Sequence, residues 1–134
     1  MSEQAKVAAE WWRDAVKDPE FNAVGDMGSI QERLLAKMAA MMARSQVKTV
    51  GVKHFEAFAA GLEKTLDGML DDGGAELGCE FWPDAVLAAE ARAAGIPLEN
   101  FPWMTEMHLR ADGSVDVSCG HGAPYVCIRV PDEA

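Results

Sequence analysis

Between Thr105 and Val130 apolar and polar residues alternate in three successive runs, and a period of two over that length confines the segment to strands with one covered face. Met107 and Leu109 point one way, and Glu106, His108 and Arg110 the other. Val115, Val117 and Cys119 oppose Asp116 and Ser118; Val126, Ile128 and Val130 oppose Tyr125, Cys127 and Arg129. The register follows from the turn. A two-residue loop at Asp112-Gly113 would set Leu109 against Asp116 and mix core with solvent residues on one face. A three-residue loop, with Ala111 and Asp112 in a type I turn and Gly113 left-handed as a bulge, pairs Leu109 with Val115 and Met107 with Val117. His108 then lies across from Asp116.

The cover for the apolar face comes earlier in the chain. Glu3–Asp18 reads as a helix closed by Pro19, with Val7, Ala8, Trp11, Ala15 and Val16 on one stripe. Adjacent helical residues point about 100° apart, so Trp11 is assigned to the core and Trp12 to the rim or to a partner. Pro19 to Gly28 reads as a loop. A second helix opens at Ser29, which forms a capping box with Glu32, and gathers Ile30, Leu34, Leu35, Met38, Met41, Met42 and Ser45 on one broad face. Its methionines are assigned to irregular core in preference to an adaptable peptide groove. Its flanking Arg33, Lys37 and Arg44 are assigned to acids of a neighbouring helix or to water, in preference to gripping an anion.

The third helix, Thr49–Asp72, buries Phe55, Phe58, Ala59, Leu62, Leu66, Met69 and Leu70. Gly61 and Gly68 inside it call for close approach of another backbone, and His54 is expected to cap or to be partly buried. Gly73-Gly74 ends this helix; Ala75–Phe81 alternates as a fourth strand, and a short alanine-rich helix runs from Pro83 to Ala94 with Gly95 as its stop. Ile96–Trp103 is a crossing loop whose Phe101 and Trp103 plug the edge between sheet and helices, a shelf for a small ligand being the other use of such aromatics. The expectation is one α+β domain over residues 1–134: three N-terminal helices and one later helix packed on one face of a small, mainly antiparallel sheet of three or four strands, ending in a β-meander.

Charge and composition bound the function. With 22 acidic and 12 basic residues the net charge is −10, which rules out phosphate neutralisation as the route to direct nucleic-acid binding. No run approaches the roughly 20 apolar residues of a membrane span and no secretory pattern opens the sequence, so a cytoplasmic protein away from membranes is expected. Cys79, Cys119 and Cys127 form an odd set without CxxC spacing; reduced thiols, and no cofactor, are the expectation.

Three clusters contain reactive side chains. His108, Asp116 and Ser118 supply the groups of nucleophilic catalysis, but Ser118 sits mid-strand without a nucleophile elbow or oxyanion donors, and a surface His–Asp pair is the reading adopted. Cys119, His121 and Cys127, with Cys79 or His108 as a fourth ligand, are of zinc-binding type, yet strand parity sends the two thiols to opposite faces and no metal is assigned. The corner Gly120-His121-Gly122-Ala123-Pro124 has amides to offer an anion, but no helix follows it, and a tight strand connection is preferred.

Trp11-Trp12 near the start, Phe101-Pro102-Trp103-Met104-Thr105 entering a strand, and Gly120-His121-Gly122-Ala123-Pro124 before the last strand resemble a pattern in small uncharacterised proteins of actinobacterial phages and prophages. The similarity covers the C-terminal third. It implies a mobile-element origin and transfers no reaction and no catalytic residue. The function expected is that of a non-enzymatic, acidic interaction protein binding itself or a host protein. Its contact surface would be the open sheet face with His108, Asp116, Tyr125 and Arg129, the sheet edge, and Trp12, with Trp103 and His121 as further binding residues. Two alternatives stay open: an acidic nucleic-acid mimic that inhibits a host DNA-binding protein, and a small hydrolase or metal-binding protein built on His108/Asp116/Ser118 or Cys119/His121/Cys127.

Overall fold

Strands β1 (Ala75–Cys79), β2 (Thr105–Leu109), β3 (Val115–Cys119) and β4 (Val126–Arg129) form one antiparallel sheet in the order β1-β2-β3-β4. The structure is a computed structural model and describes residues 3–21, 29–119 and 124–130. Helices α1 (Glu3–Lys17), α2 (Ile30–Ser45) and α3 (Val52–Leu70) precede the sheet, and α4 (Ala85–Ala94) lies between β1 and β2 in the chain. The class is the expected mixed α+β arrangement. Among the described residues no helix is long and apolar enough to cross a membrane.

The β2–β3 hairpin has the register that burial demands: Leu109 faces Val115, His108 faces Asp116 and Met107 faces Val117. Gly113 adopts φ 96° and its N–H donates to the Arg110 carbonyl at 3.0 Å, which closes the three-residue loop with a left-handed bulge. The Ser114 N–H and hydroxyl both donate to Asp112 Oδ1, at 2.9 and 2.7 Å, and these bonds hold the Asp112 carboxyl below its ordinary range. β1 lines the other side of β2, with Leu77 opposite Met107. It ends at Cys79, two residues short of the expected Phe81. There Asp84 takes over the chain: its carboxylate accepts from Gly78 N–H at 2.8 Å and from Leu87 N–H at 2.9 Å, clipping the end of β1 while capping α4.

β4 departs from strict alternation. Val126 pairs with Val117 and Cys127 with Asp116, but Val115 then pairs with Arg129, so Ile128 is an extra residue in a bulge. Arg129 therefore stands across from Val115, on the apolar parity, where its guanidinium donates to the Gly113 carbonyl; it does not join the open polar face as the alternation implied. Val126 shares that apolar parity yet is 62% exposed, because β4 is the sheet's edge.

Helices α1, α3 and α4 cover the sheet, α1 against α3 and α3 against α4. Trp12, Phe58, Phe101, Leu62, Leu66, Leu87 and Met107 form the centre of the core, with the Phe101 ring 6.2 Å from Trp12 and 5.9 Å from Phe58. The two tryptophans thus exchange their expected places: Trp12 is 0% exposed and Trp11 lies on the rim. The buried stripe of α1 is Ala5, Ala8, Ala9, Trp12 and Val16, whose alanines allow the close approach to α3 that a stripe centred on Trp11 would not. Neither helical glycine meets another backbone as expected; at Gly61 the neighbour is a side chain. A Cβ there would meet the Glu90 carboxylate at 2.5 Å, and that carboxylate accepts from the Thr65 hydroxyl at 2.6 Å; Gly68 faces open space. His54 Nδ1 lies 2.9 Å from the Ala94 carbonyl and caps the end of α4, as expected.

The second helix overturns the expectation that its methionines fill core. Ser29 caps it as predicted, accepting from Glu32 N–H at 3.2 Å, but no residue of α2 is buried. Only Ala36, Ala40 and Ala43, one stripe at helical spacing, are half-buried.

Candidate functional site

The open face of the sheet holds the predicted polar residues in pairings that the alternation alone did not reveal. Asp116 neighbours His108 in the ladder, yet its carboxylate is taken by Arg110 Nε at 2.6 Å. His108 instead has Nδ1 3.3 Å from Glu76 Oε1 on β1 and Nε2 3.0 Å from the Tyr125 hydroxyl. Tyr125, reaching over β3, gives its proton to Glu106 Oε2 at 2.6 Å, so its oxygen can only accept from His108 Nε2–H. The Tyr125 and His108 rings meet edge to face, with centroids 5.0 Å apart. The hydrogen bond to Glu106, then desolvation and the nearby carboxylates, push the Tyr125 hydroxyl above its ordinary range.

That chain of contacts braces β1, β2 and the start of β4 and does not assemble a nucleophile. The His108–Asp116 pair is not formed, and Ser118 is 6% exposed, out of reach of a substrate. The hollow above the face, about 430 Å³, has Glu76, Asp84, Glu106, His108 and Tyr125 among its lining residues. Asp84 there is already committed to backbone N–H groups. Glu76 and Glu106 are the partners that sequence reasoning missed; the only signal was their alternation with Leu77 and Met107, and the pairing of β1 with β2 is what gives that signal meaning.

Of the remaining predicted binding residues, Trp12 is sealed in the core, and its Nε1 has no hydrogen-bond partner among the described residues. Trp103 is half-buried between Phe21 and Phe81, both at 5.3 Å and edge to face, whereas Phe101, expected beside it at the edge, lies in the core. His121 and the Gly120–Ala123 corner lie outside the described residues. Cys119 and Cys127 are exposed, and no group of three His, Cys, Asp or Glu side chains among the described residues is placed to hold a metal ion. Partial desolvation, with the Glu20 carboxylate adding to it, pushes the Cys119 thiol up.

The largest unexplained surface is on α2. Ile30, Leu34, Leu35, Met38, Met41 and Met42 are 51–79% exposed and occupy one arc of about 140°. The half-buried alanines Ala36, Ala40 and Ala43 are on the opposite side of the helix from the bulky apolar arc. Beside the arc, Arg44 Nη2 lies 3.7 Å from Asp18 Oδ1, while Arg33 and Lys37 are exposed. One acid, Glu32, against three bases gives α2 a charge of +2 in a chain of −10. The signals for this site, a methionine-rich arc and a basic flank, are visible in the sequence; its exposure is not. No protein-family model matches the chain, and no curated protein does.

Proposed function

We propose that this chain is a non-enzymatic interaction protein of mobile-element origin, working in the cytoplasm, whose contact element is α2. The observation that carries the reading is the exposure of that helix: no residue of α2 is buried, and six large apolar side chains on one arc are more than half exposed. Monomeric proteins rarely expose so large a contiguous apolar patch, because solvating it is costly and another surface that covers it is favoured. Methionine and leucine on an amphipathic helix suit a partner groove, since their flexible chains fit irregular surfaces. The polar face of the sheet supports the non-enzymatic side of the reading, its His108, Tyr125 and Asp116 being engaged with one another's neighbours and Ser118 covered.

The test replaces Leu34 and Met38 by glutamate together. Both side chains are more than half exposed, so the fold is kept while the arc is broken. Hydrogen exchange of α2 at working concentration, alone and with host extract, is expected to show protection in the unmodified chain and none in L34E/M38E. Equal exchange in both under every condition overturns the reading.

A further inference from the structure

The reading above leaves open what covers α2, and the inference here rests on it. We propose that the occupant is a second copy of this chain, the two α2 helices meeting face to face about a twofold axis. Each of the six apolar side chains is more than half exposed, and together they open roughly 800 Å², the share that one partner contributes to a standard-size interface. A twofold contact needs a self-complementary patch, and a flexible apolar arc meeting its own copy satisfies that requirement without any second surface. At about 140° the arc is wider than a two-helix seam, so it covers the copy's α2 and the flanking surface of that copy as well.

Charge sets the salt response of such a pair. Two chains of −10 repel wherever their acidic bodies approach, and α2, at +2, is the most basic helix of the four. A twofold contact through α2 also brings two helices of +2 together, so charge opposes the pairing and the apolar area carries it, with the stems of Arg33 and Lys37 lying over apolar surface. The association therefore tightens as salt screens the repulsion between the bodies. An acidic partner or an anionic surface held by the basic flank would respond in the opposite sense.

Light scattering on the eluting full-length chain reads the mass directly. The expected result is twice 14.5 kDa for the unmodified protein, the single-chain mass for L34E/M38E with an unchanged circular dichroism spectrum, and a dimer dissociation constant that falls several-fold between low and high sodium chloride. Met38 sits at the middle of the helix and near the centre of the arc, so in either orientation of the pair it meets its own copy. Met38→Cys, in a chain whose exposed Cys119 and Cys127 are changed to serine, is expected to form a covalent dimer with oxidised glutathione, as Met38→Cys with Leu34→Glu is not. An unmodified chain that stays at the single-chain mass at every concentration overturns the proposal, as does a dimer that L34E/M38E retains or that salt dissolves. If the chain is monomeric but α2 is protected by a host protein that L34E/M38E fails to hold, the second copy is excluded while the interaction reading survives. If it is monomeric and nothing protects α2, both fall.

Discussion

Trp12 and Cys79 show how single residues divide the work of this core. Trp12 is wholly buried against Phe101 and carries an indole N–H without a partner among the described residues, so it holds the core by volume and dispersion at the cost of one unmet donor. Trp12→Ala is expected to destabilise the chain by about 3–5 kcal/mol and Trp11→Ala by about 1 kcal/mol or less, as read from urea unfolding; equal losses would place both rings in the core. Burial pushes the Cys79 thiol from 9.0 up to about 12, with the Asp84 carboxylate adding to it. The unfolded chain gives up this proton more easily than the folded one. The protonated thiol therefore contributes stability that is complete below about pH 9 and is lost as pH rises toward 12. The urea midpoint should fall across that window, and fall less in Cys79→Val. With a thiol reagent, the exposed Cys119 and Cys127 are expected to react in the native protein and the buried Cys79 only after unfolding.

At the scale of elements, α2 and α3 have similar apolar content and opposite fates. α3 buries Phe55, Phe58, Ala59, Leu62 and Leu66, whereas α2 buries nothing, so the stability of the folded body does not depend on which apolar residues α2 carries. At a dilution where the chain is monomeric, L34E/M38E should shift unfolding by less than about 0.5 kcal/mol per site, while Leu62→Ala costs about 2–5 kcal/mol. A large loss from L34E/M38E in the monomer would mean that the arc packs within its own chain. The sheet has its own asymmetry: β2 and β3 are held by the hairpin and the core, while edge strand β4 depends on its bulge, on the half-buried Ile128 and on the reach of Tyr125 to Glu106 and His108.

For the molecule as a whole the governing quantity is the net charge of −10, which stresses the compact state and sets how copies approach one another. Adding about 0.5 M salt to a dilute sample at pH 7 is expected to raise Tm by about 2–5 °C through screening of this self-repulsion, and a Tm that falls would show that favourable ion pairs outweigh it. The ion pair of Arg44 with Asp18 is exposed at both ends and contributes little. The strands, the three-residue turn at Gly113, the His108–Asp116 register, the Ser29 cap of α2 and the Gly95 stop of α4 were legible in the sequence, because each rests on a local period or on the backbone preference of one residue, whereas α3 and α4 start two or three residues later than expected. Tertiary structure alone decided which side of α1 and α2 faces inward. In α1 the stripe turned by about one position, from Trp11 to Trp12, because the alanines Ala5, Ala8 and Ala9 allow close packing on α3, and in α2 an apolar arc that reads as core is left exposed. The partners of His108 and the place of Arg129 were likewise beyond the sequence, since they depend on β1 pairing with β2 from nearly 30 residues away and on one extra residue in β4. Local chemistry sets what an element is, and only the other elements, by the space they leave, set which way it turns.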